Sequence, residues 1–292
     1  MTFRFLVVSH NILPKETLEN VSSENIKNHI VIYGVSPIQQ FLRNANNCTE
    51  NISELKSIIE NTLTFYDPFM QYNCFDENSA IYHVFHNENY KSFEHLDFIG
   101  FSQYDMKLDD SFFQHIKSTI ETSENKDKLL MYYHKTQNNA RIELNQVIGE
   151  GGWNIIIDMY NKEYNTNYSW DTVIMNDIYL YNTYLLPRPF FKKMADFSQK
   201  VSKVLFLLCG STVRYISFML ERFHGIYITL KVLEGELESP VKLIGIGHSD
   251  ELKAIKKEEL DKILLIGDKP PNTIDSRKRA LIWDTLYHGS VP

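Results

Sequence analysis

Cysteine is scarce: three in 292 residues, Cys48, Cys74 and Cys209, odd in number and widely separated. That excludes a disulfide framework and a cysteine-rich zinc site, and suits a reduced, intracellular setting. Long apolar runs are missing too. The opening MTFRFLVVSHNILP has only a short apolar stretch before Ser9 and His10, with no small-residue cleavage site after it, so no secretory leader is expected. The longest other run, at 204–209, falls far below the roughly 20 residues of a membrane span, so no transmembrane segment is expected either. Positive charge is not in excess: 30 basic residues against 37 acidic ones give a formal charge of −7. A general nucleic-acid binder needs a basic surface to displace counterions, so that class is disfavoured. The familiar signatures GxxxxGK[ST], GxGxxG after the first strand, GxSxG and HExxH are absent, and Gly245-Ile246-Gly247 lacks a third glycine.

Aromatic residues are plentiful, with 17 tyrosines and 18 phenylalanines among 292 residues, more than enough for a large core. Residues 3–8 and 30–33 read as short strands. Apolar spacing predicts helices over 52–63 and 77–87, a strand over 98–101, a helix over 111–122 and a strand over 129–133. A glycine-rich loop at 149–152 precedes a helix to about residue 160. A strand over 178–186, a helix to about 209, a helix over 213–223 and a strand over 226–230 complete the pattern. Strands alternating with helices predict an α/β sandwich with a mainly parallel sheet. The charged tail beyond Glu234 divides the chain into a main domain, 1–233, and an appendage, 234–292, packed on it.

The segment HLDFIGFSQYDMKLDD, residues 95–110, changes polarity abruptly: Phe98-Ile99-Gly100-Phe101 is followed by Ser102, Gln103, Tyr104 and Asp105. Ligands of open α/β sheets bind beyond the carboxyl ends of strands. A carboxylate there can hold Mn²⁺ or Mg²⁺, which neutralises a diphosphate; a solvated loop acid is the plainer alternative. His83 and His86 fall on one helical face with Ser79, and paired histidines can share a metal, though such pairs are more often simply polar.

Several blocks, in order, resemble a family of bacterial and viral glycosyltransferases often labelled DUF4422, from capsular polysaccharide and surface-glycan loci. They are the strand LVVSHN ending in His10, the helix ENSAIYHVFHN from Glu77 to Asn87, the strand FIGFSQY followed by Asp105, Asn182-Thr183-Tyr184 with Pro189-Phe190-Phe191, and Arg214 before Glu221-Arg222. Together they span residues 3 to 230. Where many members have H-Y-R-R, this chain has Gln103-Tyr104-Asp105-Met106, a departure that points to a different donor or to metal dependence.

The resemblance implies a GT-A-like nucleotide-binding fold and a sugar transferred from a nucleoside diphosphate, UDP favoured, to a glycan or glycolipid acceptor, with Mn²⁺ or Mg²⁺. Asp105 would be the metal ligand. Ser9, His10, Asn11, Glu77, Asn78, His83, Gln103, Tyr104 and Arg214 would line the donor, and Trp153, Asn182 and Arg188 the acceptor. Asp177 and Glu221 are the candidate bases for the acceptor hydroxyl. A late histidine, His224 or His248, would complete a metal site, though nothing in the spacing demands it. Blander readings stand beside these: capping for Glu77 and Asn78, a core role for Trp153, an ion pair for Glu221-Arg222. The rival functions are a non-catalytic nucleotide- or glycan-binding module and a metal-dependent hydrolase using Asp105 with His83 and His86. The expected location is the cytoplasm, a host's cytoplasm for a virus-encoded member, with Arg277-Lys278-Arg279 as a weak membrane-surface contact.

Overall fold

The computed structural model describes residues 1–9, 17–35, 56–70, 75–121, 128–135, 144, 148–210 and 215–248. His10, Asn11, Arg214 and the Arg277-Lys278-Arg279 cluster lie outside them.

A seven-stranded sheet forms the centre. Its strands are β1 (Phe3–Ser9), β2 (Ile30–Gly34), β3 (Lys56–Ile59), β4 (Phe98–Gln103), β6 (Leu130–Lys135), β7 (Tyr179–Pro187) and β8 (Val241–Lys242). The order is β3-β2-β1-β4-β7-β6-β8. The first four are mutually parallel, β7 is antiparallel to both β4 and β6, and β8 runs parallel to β6. A two-stranded antiparallel sheet, β5 (Met106–Leu108) with β9 (Ile246–His248), stands immediately after β4.

The inner strands are buried on both faces, which explains their near-continuous apolar sequences. One face packs on α2 (Asn78–His86), α4 (Gly149–Tyr164), α5 (Trp170–Ile174), α6 (Arg188–Cys209) and α7 (Tyr215–Leu233). The other carries α1 (Ser23–His29) and α3 (Asp110–Glu121), with Phe5, Phe112 and Phe113 at its heart. Gly100 makes close stacking possible on that side: a Cβ there would stand 2.5 Å from the Phe5 ring.

Two expected elements differ. Within 52–63, the described part is β3 followed by a 3₁₀ turn, Glu60–Thr62, not a helix. The periodic apolar positions Ile58 and Ile59 instead point to opposite faces of the sheet, where Ile58 joins one core and Ile59 flanks the other. The segment 226–230 is not a strand. It continues α7, whose residues from Phe223 to Lys231 are all buried, so the β-branched run reflects a helix enclosed by the core. Gly225 permits that enclosure, because a Cβ there would collide with the Tyr179 carbonyl of β7.

The residues just past Glu234 add β8 to the main sheet and β9 to the small one. Lys231 pins this turn: it is buried, pairs with Glu234 at 2.7 Å and Glu236 at 3.4 Å, and lies 3.7 Å from the Tyr164 ring centroid. Among the described residues, no helix is long and apolar enough to cross a membrane.

Candidate active site

The chain leaves β1 for β2 on one side, and β4 adds on the other side. The carboxyl ends of β1 and β4 therefore flank a topological switch point, the place where open α/β sheets bind ligands. Val8 registers with Gln103, so Ser9, Gln103, Tyr104 and Asp105 gather at that edge. Ser9 is buried and its carbonyl accepts from the Val35 N–H at 3.0 Å. The turn after β4 is held by Thr17, whose hydroxyl donates to the Tyr104 carbonyl at 2.9 Å. Gln103 Nε2 donates to Glu77 Oε1 at 2.8 Å, tying the strand tip to the start of α2.

Asp105 is 3% exposed, not a solvated loop acid. Its Oδ2 lies 3.8 Å from His248 Nδ1 on β9, which the pairing of Met106 with His248 brings alongside. Adjacent ligands each about 2.1 Å from an octahedral ion stand about 3.0 Å apart, so a side-chain shift of less than about 1 Å would let this pair share a divalent ion. Carboxylate and imidazole are an acceptable donor set for Mn²⁺, and a carboxylate alone serves Mg²⁺. Among the described residues, no cluster of three or more His, Cys, Asp and Glu forms. Of the two late histidines, His248 is the one brought to Asp105.

His224 serves elsewhere. It is fully buried, and burial drives its pKa down to about 3, so it stays neutral. A directed chain of hydrogen bonds runs through it. Ser198 Oγ donates to His224 Nε2 at 2.9 Å, His224 Nδ1 to Asn182 Oδ1 at 3.0 Å, Asn182 Nδ2 to Asn78 Oδ1 at 3.0 Å, and Asn78 Nδ2 to Ser217 Oγ at 3.0 Å. Asn78 and Asn182 thus join α2, α6, α7 and β7 inside the core, where they hold the start of α2 and with it Glu77.

His83 is also wholly buried. The Asp67 N–H donates to its Nε2 at 2.9 Å, which leaves Nδ1–H facing Glu60 Oε1 at 2.9 Å and the Ser79 carbonyl at 3.0 Å. Glu60 also accepts from Ser79 Oγ at 2.9 Å and the Tyr33 hydroxyl at 3.3 Å. His86 contacts Gln199 at 3.0 Å. The His83–His86 pair of the hydrolase reading is therefore separated into two unrelated contacts.

Trp153 is 0% exposed: its indole N–H donates to the Leu144 carbonyl at 2.6 Å and its ring stacks on Trp170, 6.0 Å between centroids, so it is a core residue. Arg188 follows the β7 terminus, whose Pro187 registers with Phe98, at the opposite end of β4 from Asp105. There it donates to the Glu88 carbonyl at 3.1 Å. Six residues of strand, about 20 Å, separate it from the site. Asp177 is exposed on the loop before β7, and Glu221 is half-buried on α7. The negative charges of Glu77 and Glu221 both reach Tyr184, whose phenol burial first, and these charges next, push well above its ordinary pKa. Glu221 is therefore nearer than sequence spacing could reveal to the α2 start that touches Gln103.

Sequence reasoning passed over Tyr132 and Tyr181. Their rings lie 5.7 and 5.2 Å from that of His248.

The chain matches no family model and no curated protein. Among solved structures it is similar to the WbbM bifunctional glycosyltransferase, with a TM-score of 0.56 and 14% identity, over 86% of this chain and 46% of that one. The chain has a GT-A-like fold. It spans less than half the length of WbbM. Fainter likenesses, both at a TM-score of 0.42 and 11% identity, are to glucosyl-3-phosphoglycerate synthase from Mycobacterium tuberculosis, in complex with Mn²⁺ and UDP-glucose, and to mouse xyloside xylosyltransferase 1. The first covers 94% of this chain and 80% of that one, the second 82% and 85%.

Proposed function

We propose that the chain is a glycosyltransferase moving a sugar from a nucleoside-diphosphate sugar, UDP favoured, to a glycan or glycolipid acceptor in polysaccharide or glycoprotein glycan synthesis. The carrying observation is the convergence of Asp105 and His248 beside the switch point of a GT-A-like sheet. A glycosyltransferase among the fold's relatives supports the reaction class. The ordered blocks from LVVSHN to Glu221-Arg222 support a place in the DUF4422-type family.

Asp105 and His248 would hold Mn²⁺ or Mg²⁺, which when bound neutralises the diphosphate leaving group. Ser9 and the residues after it, His10 and Asn11, would line the nucleotide side, with Arg214 offsetting phosphate charge. Gln103, fixed by Glu77, would orient the donor. Glu221, or Asp177 from the loop before β7, would accept the acceptor's hydroxyl proton. Trp153, Asn78, Asn182 and His83 act at a distance, through the core that sets the strand ends, and Arg188 braces the opposite end of β4. The main domain is 1–233, and the appendage 234–292 contributes β8, β9 and His248. A cytoplasmic location accords with the scarcity of cysteine.

The test is a thermal-shift screen of nucleoside diphosphates and their sugars, with and without Mn²⁺, on wild type, Asp105→Asn and His248→Gln. A ligand at about 100 times its Kd stabilises by roughly 2.7 kcal/mol. The expected result is a Mn²⁺-dependent shift with one nucleotide, lost in both variants, followed by turnover of the matching sugar donor. No shift with any nucleotide overturns the reading; a shift without turnover converts it to the binding-module alternative.

A further inference from the structure

Tyr132 on β6 and Tyr181 on β7 form one aromatic cluster with His248. Their ring centroids stand 5.5 Å apart, and the His248 ring lies 5.7 Å from the first and 5.2 Å from the second. All three are intermediate in burial, and the His248 side chain is 21% exposed. Two irregularities of the backbone produce this arrangement. The register of β6 with β7 slips between Tyr132 and His134. At the same level Tyr181 has φ +97°, a conformation that bulky L-residues rarely adopt. A bulge re-aims side chains at a sheet rim, and strain at a single residue persists where the surrounding structure over-determines it. Tyr132 also packs against the core of the α1–α3 face, so the cluster is anchored from below.

The chemistry of the cluster fits one class of ligand. The two tyrosine rings are tilted 50° to each other, so they form a notch rather than one plane. A tyrosine face in such a notch packs against the C–H face of a pyranose while its hydroxyl reaches the sugar's polar edge. The location fits the same class. The parallel strands β3-β2-β1-β4 lie on one side of Asp105, and the antiparallel pair β7-β6 lies on the other. With the nucleotide over the parallel half, the second substrate approaches over β7 and β6, where these rings stand against His248. We infer that Tyr132 and Tyr181 form the stacking platform for a sugar ring of the acceptor. The inference rests on the transferase reading and takes the place of the stacking role that the buried Trp153 does not fill.

Saturation-transfer NMR on the full chain tests it with methyl glycosides of glucose, galactose, mannose and xylose at millimolar concentration. Wild type should transfer saturation to the ring C–H protons of at least one glycoside. Tyr181→Phe, which keeps the ring, should retain the transfer. Tyr132→Leu and Tyr181→Gly should reduce it at least fivefold. Tyr181→Phe keeps the ring and its packing, so retained transfer in that variant beside loss in Tyr181→Gly assigns the effect to the ring face. No transfer to any glycoside in wild type, or equal transfer in Tyr132→Leu, overturns the platform. The nucleotide shift with Mn²⁺ on the same wild-type protein reports on the transferase reading separately, so the two can fail independently.

Discussion

His224 lies in the core and is linked by hydrogen bonds to the start of α2. Its imidazole is enclosed, neutral, and bonded at both nitrogens. Burial lowers its folded pKa to about 3, against 6.5 for the free side chain. The unfolded chain therefore takes up a proton first as pH falls. This contribution to stability is complete above about pH 6.5 and is lost progressively from there towards pH 3. His224→Gln, which keeps a polar group but cannot titrate, should cost about 1–2 kcal/mol at pH 7 through imperfect bonds to Ser198 and Asn182. At pH 4.5 wild type has itself lost about 2 to 3 kcal/mol from this residue, so the variant's deficit should vanish or reverse. Urea denaturation of both proteins at the two pH values measures it. A deficit that is the same at pH 7 and pH 4.5 would sink the assignment.

Elements differ in how far the sequence announces them. The helix of α2 is legible because Ala80, Ile81 and Val84 repeat at helical spacing and are buried. The strand β4 is legible because four apolar residues end abruptly in polar ones. The end of α7 is not, because a helix buried on all sides loses the periodicity that distinguishes it, and Ile226, Ile228 and Thr229 then look like a strand. Gly225 carries the missing information as a close approach to Tyr179 rather than as a break. Gly225→Ala should therefore destabilise by about 1–3 kcal/mol, even though alanine favours helix by ~1 kcal/mol. Gly151→Ala is the control. That glycine lies inside α4, exposed, with nothing within 4 Å of an added Cβ, so it should stabilise by about 0.5–1 kcal/mol. Equilibrium unfolding of the two variants should move in opposite directions; a stable Gly225→Ala would mean that α7 stands farther from β7.

At the scale of the whole molecule, the candidate site is a junction between distant parts of the chain. The position of Asp105 just past a core strand is legible from sequence because it is a local fact, while its burial is not. The proximity of His248 and the two tyrosines is not legible either, because it depends on β9 pairing with β5 and on β6 slipping against β7. Neither pairing leaves a trace in residue spacing. The same topology makes a prediction about motion. A ligand that bridges Asp105 and His248 ties the β4–β5 turn to β9, so it must suppress local opening of both segments together. Hydrogen exchange with UDP and Mn²⁺ should slow at residues 103–108 and 241–248, with no comparable change when Mn²⁺ is omitted or in His248→Gln. β3 and the 3₁₀ turn after it, at the far edge of the sheet, should change least. Protection at the β4–β5 turn alone would mean that Asp105 binds without His248, and that the short strands past Glu234 brace the fold without entering the chemistry.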